Sequence, residues 1–427
     1  MNPFTVITDV FTGVEFLFAS KNSRASAVSQ NNFSTYLYVM ALKWFRTFTK
    51  RSLVILNLVV AVFFLIGCYA GFFNSPHFWP LGLFNLSAFY LLLILLFFIL
   101  FWLFAKIKYA LIGMVAIALA WRPLQHLVQL RQAPNFVLKK HPANLRVMSW
   151  NIEHFAILEN KTNPGKKEQM LELIRQYNPD VLCLQEAVAS DSISGAINYL
   201  PDIMNRLNMS YYHYSYNRKI DFDSKHHFGI LILSKLPLAS RHTLSHAPND
   251  YNSIFQYVDI VKEQDTFRLF NIHLQSLKFS ESNRIYLDKP EMESKEDIEN
   301  SKSIIGKYRT GFIKKYVQSN RVKKAINNSP YPVIVCGDFN DVPNSYAYST
   351  IGKGLKNAFT EKGTGIGRTF VSISPTLRID NIFVDKRFTV EQYVRIKRNL
   401  SDHYAIAADV YYNNSSARAN KPVTNTP

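Results

Sequence analysis

Apolar residues are concentrated at one end of this chain. Ser52–Phe73 is 22 residues without a charge and Leu83–Ala105 is 23 more, each long enough to span a bilayer as a helix. Asn74, Ser75, Pro76, Pro80 and Gly82 make a short turn between them. Both runs are apolar on every face, which argues against a buried soluble hairpin. Tyr109–Trp121 is a third apolar run of only 13 residues, either a short span or an interfacial helix.

From Asn144 the pattern changes to short apolar strands alternating with helices. Strands are expected at Leu145–Trp150, Val181–Gln185, Gly229–Ser234, Tyr257–Val261, Phe267–His273, Val333–Cys336, Ile379–Val384 and Ala405–Val410. Lys167–Tyr177 has helical spacing and stops at Asn178-Pro179. Ile304, Tyr308, Phe312 and Tyr316 recur every four residues, so Lys302–Asn327 reads as a helix ending before Pro330. Its Lys307, Lys314, Lys315, Arg321 and Lys323 read as a solvated face. The expected organisation is a polar extension over 1–39, a transmembrane region of two or three helices over 40–122, a linker over 123–143, a catalytic domain over 144–412 and a disordered tail over 413–427. Met40, directly ahead of the first apolar run, reads as the true start.

Charge changes this picture little. The chain carries 49 Lys+Arg against 31 Asp+Glu, a net of +18. Residues 1–143 hold 12 of the basic and 2 of the acidic residues, leaving 37 against 29 for the remainder. Over half of the excess therefore flanks the apolar runs, where it acts as a topology signal. Lys43, Arg46, Lys50 and Arg51 precede the first run, and Lys106 and Lys108 follow the second, so both flanks read as cytoplasmic. A third span then puts the catalytic domain outside the cytoplasm, which is our expectation; without it that domain is cytoplasmic. Cys68, Cys183 and Cys336 sit in apolar runs and read as buried free thiols.

Several strands end in polar residues. Leu145–Trp150 runs into Asn151 and Glu153, Val181–Gln185 into Glu186, Phe267–Ile272 into His273, and Val333–Cys336 into Gly337-Asp338-Phe339-Asn340. Arg378-Ile379-Asp380 opens another strand, and Ser401-Asp402-His403 precedes the last. Each residue alone has a bland explanation, as a cap, an Asx-turn or a satisfied core histidine. Together they suit a site assembled from loops at the ends of packed strands.

These motifs resemble the endonuclease/exonuclease/phosphatase family. They are Ser149-Trp150-Asn151-Ile152-Glu153, Asp180-Val181-Leu182-Cys183-Leu184-Gln185-Glu186, Asn271-Ile272-His273-Leu274, Gly337-Asp338-Phe339-Asn340-Asp341, Arg378-Ile379-Asp380-Asn381-Ile382 and Ser401-Asp402-His403. They follow the family's order across about residues 144–412, and the layout with its apolar N-terminal part resembles a membrane-anchored bacterial subgroup. The resemblance implies a four-layer α/β sandwich: two mixed β-sheets face to face with helices outside, preceded here by the transmembrane region. It implies a phosphoesterase that uses Mg²⁺, with Mn²⁺ as a substitute, and lodges in the bacterial inner membrane. Glu186 would be the main metal ligand, with Asn151, Asp402 and Glu153 beside it. His403 would contact the scissile phosphate, and Asp380 would hold its tautomer. Asp338 would position or deprotonate the attacking water, and Asn340 would hold phosphate and water in register. His273 would be a second phosphate or leaving-group contact, and Asn151 would also touch substrate. Where some members carry a partner carboxylate for that histidine, this chain has His226, His227 and Phe228. The expected partners are the bilayer and a phosphoester, either a lipid or envelope component or a nucleotide or nucleic acid; no obligate protein partner is evident. A catalytically silent membrane scaffold is the competing class, and the filling of every expected catalytic position speaks against it.

Overall fold

The computed structural model describes residues 28–132, 134–221, 223–245, 254–277, 283 and 295–413. The proposed extension before residue 28 and the proposed tail after Asn413 lie outside the described residues. The chain divides into two compact units, Met1–Val59 and Val60–Pro427.

The first unit holds most of helix α1, Val28–Tyr69, which begins inside the segment expected to be a polar extension. The rest of α1 and helix α2, Leu81–Ala105, belong to the second unit. Both helices are long and apolar enough to cross a membrane. The third apolar run is broken: helix α3, Ala110–Leu119, and helix α4, Trp121–Leu127, belong to a pair bent by 73°. A Cβ on Gly113 would strike Ile99, so α3 packs closely on α2 at this glycine. The Tyr69 hydroxyl donates to Leu119 O at 2.6 Å. The chain thus runs back along α2 toward the turn that follows α1.

The segment expected as a linker is docked. Gln129 and Gly365 exchange backbone hydrogen bonds of 2.9 and 2.8 Å. Arg146 is fully buried, paired with Asp409 at 2.6 and 2.8 Å, and donates to Leu138 O, Tyr177 O and Val137 O. Its guanidinium therefore ties the segment ahead of the first strand to the fold.

The rest of the second unit is two six-stranded mixed sheets. In chain order the elements are β1 Leu145–Asn151, α5 Gly165–Tyr177, β2 Val181–Ala189, α6 Leu200–Arg206, β3 Tyr211–Asp221, β4 His227–Ser234, β5 Leu238–Ser245, β6 Ile254–Lys262 and β7 Asp265–His273. There follow α7 Lys295–Asn327, β8 Val333–Asp338, α8 Tyr346–Gly352, β9 Leu355–Asn357, α9 Ala358–Lys362, β10 Asp380–Asp385, β11 Phe388–Ile396 and β12 Ala405–Tyr412. The orders are β11-β12-β1-β2-β4-β3 and β5-β6-β7-β8-β10-β9. One apolar cluster, including Val147, Cys183, Ile260, Leu269, Ile334 and Ile406, joins residues of both sheets. Met148, Trp150, Leu182 and Leu184 pack instead with Met170 and Ile174 of α5, and Phe270, Val335 and Phe383 with Val322 of α7. Period-2 alternation explains this: alternate residues of one strand face opposite sides, so each sheet has helices behind it and the other sheet in front. The expected sandwich is found. All three cysteines are free and buried.

Polar contacts also cross between the sheets, among them one at the site's edge. Gln185 Nε2 donates to Asn271 Oδ1 at 2.7 Å, and Asn271 Nδ2 donates to Leu184 O and Leu231 O at 3.1 and 3.2 Å. The lysines of α7 correct one expectation. Lys315 is buried rather than solvated, donating to Asn340 O at 2.7 Å and lying 3.1 Å from Asp341.

Candidate active site

Register brings the expected residues together at the strand ends. β7 and β8 run parallel with His273 opposite Asp338, and β8 and β10 antiparallel with Asp338 opposite Asp380. In the other sheet β1 and β2 run parallel with Asn151 opposite Gln185. The β2–β4 pairing shifts register between Leu184 and Ala187, and Glu186 has φ +51°. Such a bulge re-aims a side chain at the edge of a site. Asn340 also has positive φ, +47°, and Gly337 has φ +140°. At Gly337 a Cβ would collide with the Ile272 backbone, so the close approach of β7 and β8 behind Asp338 requires glycine.

A buried hydrogen-bonded group lies at the centre. His403 Nδ1 and Asp380 Oδ2 are 2.8 Å apart, and His403 Nε2 is 3.8 Å from Asp338 Oδ2. Asp338 Oδ2 accepts from Asn151 Nδ2 at 3.2 Å and from Asn340 Nδ2 at 3.1 Å, and Oδ1 accepts from Asn340 N at 2.7 Å. Burial acts on His403 to lower its pKa, but Asp380 and Asp338 hold it well above the usual histidine value. Burial, opposed by His403 and assisted by Asp380, pushes the Asp338 carboxyl up to about 7. Trp150 Nε1 donates to His403 O at 2.9 Å, and Thr369 Oγ1 accepts from the backbone N–H groups of Ile379 and Asp380.

Carboxylates gather on the more open side. Glu186 is pushed up to about 7 by burial and by Asp402. Glu153 is also raised, by burial and then by Asp402, whose backbone N–H donates to Glu153 Oε2 at 3.3 Å. His273 Nε2 lies between the two groups, 3.6 Å from Glu186 Oε1 and 3.6 Å from Asp338 Oδ2. Like charges held this close repel unless a cation lies among them. An all-oxygen set of three carboxylates and an amide suits a hard divalent ion such as Mg²⁺, so the residues present fit one. Among the described residues the three His and carboxylate atoms that lie within 4.8 Å of one another, a spacing able to hold an ion, are those of Asp338, Asp380 and His403. The His403–Asp380 hydrogen bond and the depth of all three suit proton handling better.

Two neighbours were missed from the sequence. His154 Nε2 is 3.9 Å from Glu186 Oε2, brought there by a left-handed turn in which Glu153, His154, Phe155 and Ala156 all have positive φ. The Phe370 ring lies 5.0 Å from the His403 ring, centroid to centroid. Nothing in the local sequence signals a left-handed turn of non-glycine residues, which is disfavoured on its own.

Two packed sheets with helices outside, and acidic, amide and histidine side chains converging at their strand ends, make an α+β sandwich with a polar site at one edge. The profile described as the endonuclease/exonuclease/phosphatase family matches residues 148–403. The chain belongs to that family, whose members are phosphoester hydrolases. Residues 50–127 match a domain of unknown function. Similar solved structures include an endonuclease/exonuclease/phosphatase family protein from Leptotrichia buccalis, 18% identical, with TM-score 0.43 over 63% of this chain and 100% of the other. A truncated Caenorhabditis elegans TDP2 is 18% identical, with TM-score 0.43 over 63% and 98%. The human Nocturnin catalytic domain with bound sulfate is 17% identical, with TM-score 0.44 over 63% and 95%. No curated protein matches the chain.

Proposed function

We propose that the protein is a membrane-anchored, Mg²⁺-dependent phosphoesterase that hydrolyses a lipid-borne or envelope phosphoester by in-line attack of water. The observation that carries this is the adjacency of two chemically distinct groups: the Asp380–His403–Asp338 relay, and the Glu186, Asp402, Glu153 and Asn151 oxygens, with His273 between them. The oxygens would hold the ion, which when bound would neutralise charge on the phosphoryl oxygens.

The chain's own residues supply the rest. Asp380 accepts from His403 Nδ1 and keeps the imidazole protonated, so Nε2–H is free to donate to a phosphoryl oxygen as charge develops there. Asp338, with its pKa near neutrality, is suited to take a proton from the attacking water. Asn151 and Asn340 fix its carboxylate by their amides, and His273 is placed to meet a second phosphate oxygen or the leaving group. Mg²⁺-dependent, EDTA-sensitive hydrolysis of bis-(p-nitrophenyl) phosphate by the detergent-solubilised protein tests the reaction class; no metal-dependent hydrolysis would sink it. A panel of sphingomyelin, phosphoinositides, nucleotides, RNA and DNA then separates the lipid reading from the nuclease alternative.

The catalytic domain is proposed to face away from the cytoplasm. Three contacts support this. Asn74 Oδ1, in the turn between α1 and α2, accepts from the Tyr316 and Tyr346 hydroxyls at 3.0 and 2.6 Å. Asn85 Nδ2 donates to Pro343 O at 2.9 Å. The catalytic fold thus rests on the turn at one end of α2, whereas Lys106 and Lys108 lie at the other end. Basic residues mark the cytoplasmic end, and α3 with α4 carries the chain back. A periplasmic reporter active after residue 143, in a protein that resists carbonate extraction, is expected; a reporter active only in the cytoplasm would reverse the assignment.

A further inference from the structure

A cavity of about 1400 Å³ lies away from the catalytic residues. One wall is the end of α1 and the turn after it, from Cys68 to Asn74, together with α4; the other is formed by the ends of α7, α8 and α9. Its lining holds Arg122, Arg131, Lys323, Lys353 and Lys356 against a single carboxylate, Glu361. Among the described residues none of the five cations is in an ion pair. Arg131 donates to the backbone oxygens of Glu361 and Thr360 and to Gln129 Oε1, Lys323 to Lys353 O, and Lys356 to Phe388 O at 2.9 Å. Burial, and then the neighbouring Lys353, lower the Lys323 pKa. A concave cluster of this kind, filled with like charge and with amide and hydroxyl donors such as Asn327, Ser349 and Thr350, attracts an anion.

Position narrows the anion's class. The apolar run of α1 ends at this wall, and Arg122 follows directly on the apolar α3. Phe72 and Trp121 beside it are 77% and 55% exposed, and an exposed Trp is expected at the level of lipid headgroups. A basic cavity at that level attracts an anionic headgroup by its field, and the volume exceeds the roughly 300–1,000 Å³ of an ordinary small-molecule site. We propose that this cavity binds the phosphate-bearing headgroup of an anionic phospholipid from the leaflet on the catalytic domain's side. It rests on the proposed membrane insertion, so carbonate extraction is run first as an independent check. Its lining residue Asn357 donates to Asn381 Oδ1 at 3.0 Å, next to Asp380 in the chain.

The full-length protein is reconstituted in nanodiscs of phosphatidylcholine with and without phosphatidylglycerol, and thermal denaturation is followed. Phosphatidylglycerol is expected to raise the midpoint by several degrees, because a ligand that binds only the folded state stabilises it. Arg122→Gln with Lys353→Gln, two exposed cations, should lose most of that shift, while the control Lys397→Gln with Arg398→Gln keeps it. Inorganic phosphate and glycerol phosphate added to phosphatidylcholine discs separate the sources: a shift equal to that with phosphatidylglycerol would replace the lipid by a soluble phosphate. No shift with any of these probes, or the same shift in both variant pairs, would overturn the proposal. If the cavity variant does not fold, lipid co-purifying with the wild-type protein decides, and an absence of bound anionic lipid overturns it.

Discussion

Asp380 Oδ2 lies 2.8 Å from His403 Nδ1, with both side chains buried. The opposite ring nitrogen is thereby left as a donor aimed toward Asp338, 3.8 Å away. This pairing fixes what the histidine can do. With Nδ1 committed, Nε2 is the ring nitrogen left to face the Asp338 and Asp402 carboxylates; under the proposed mechanism it is the one that would donate to a phosphoryl oxygen.

Asp338→Ala and His403→Ala are each expected to lower turnover about 10²–10⁴-fold, the usual cost of removing a positioned catalytic group. Circular dichroism should show the fold retained in both. Asp380→Asn should lose rate as well, by admitting the wrong tautomer. If Asp338→Ala and His403→Ala both hydrolyse bis-(p-nitrophenyl) phosphate at the parental rate, the relay is not catalytic.

Glu186→Gln should behave differently. It removes one oxygen charge from the set that includes Asp402 and Glu153 without touching the relay. The Mg²⁺ concentration for half-maximal activity should rise, and excess Mg²⁺ or Mn²⁺ should recover part of the rate. An unchanged metal titration would remove Glu186 from the ligand set.

Arg146 and Asp409 form a pair with side chains only 1% exposed. Arg146→Met leaves Asp409 buried with, among the described residues, the Gln392 amide at 2.6 Å as its remaining side-chain partner, and should cost about 3–5 kcal/mol. Arg146→Met combined with Asp409→Leu should cost less than the single change, since no buried charge is then stranded. Denaturant titration of the detergent-solubilised variants measures both; a double variant weaker than the single one would contradict the argument.

Asp259 gives a pH dependence. Burial raises its pKa, but the hydrogen bonds from Arg268 and Ser240 outweigh this and hold it below the usual aspartate value. A depressed folded pKa means that this stability is complete above the unfolded value of about 3.9. It is lost as pH falls through the lower folded value. Asp259→Asn should flatten the acid limb of the thermal-stability profile below about pH 4 and leave its shape at neutral pH unchanged; an acid limb identical to wild type would show that the pair contributes nothing there.

The apolar runs, the eight strands and the two longer helices were legible because periodicity and turn residues are local signals. The strands β3, β5, β9 and β11 were not. β3 is rich in tyrosine and charge, and β11 alternates buried with half-exposed positions around Glu391, so neither reads as an apolar run. Lys315 looked solvated because its helix face is otherwise basic; its partners Asn340 and Asp341 come from a loop that helical periodicity does not place.

The candidate site divides in the same way. Residue types at the ends of apolar runs were visible in the sequence: an acid after Val181–Gln185, a histidine ending β7, Asp-Phe-Asn at the end of β8, and Asp-His before β12. Their convergence was not. Asp338 meets Asp380 and His273 only through the registers of β8 with β10 and β7, and Glu186 faces the site only because β2 bulges there. The cation-lined cavity, too, joins Arg122 to Lys353 across more than two hundred residues. Local preferences thus determined which segments form helices and strands and which chemistry stands at their ends. Register, bulges and contacts between distant segments depend on the packing of the whole chain, and these decided which of those groups act together.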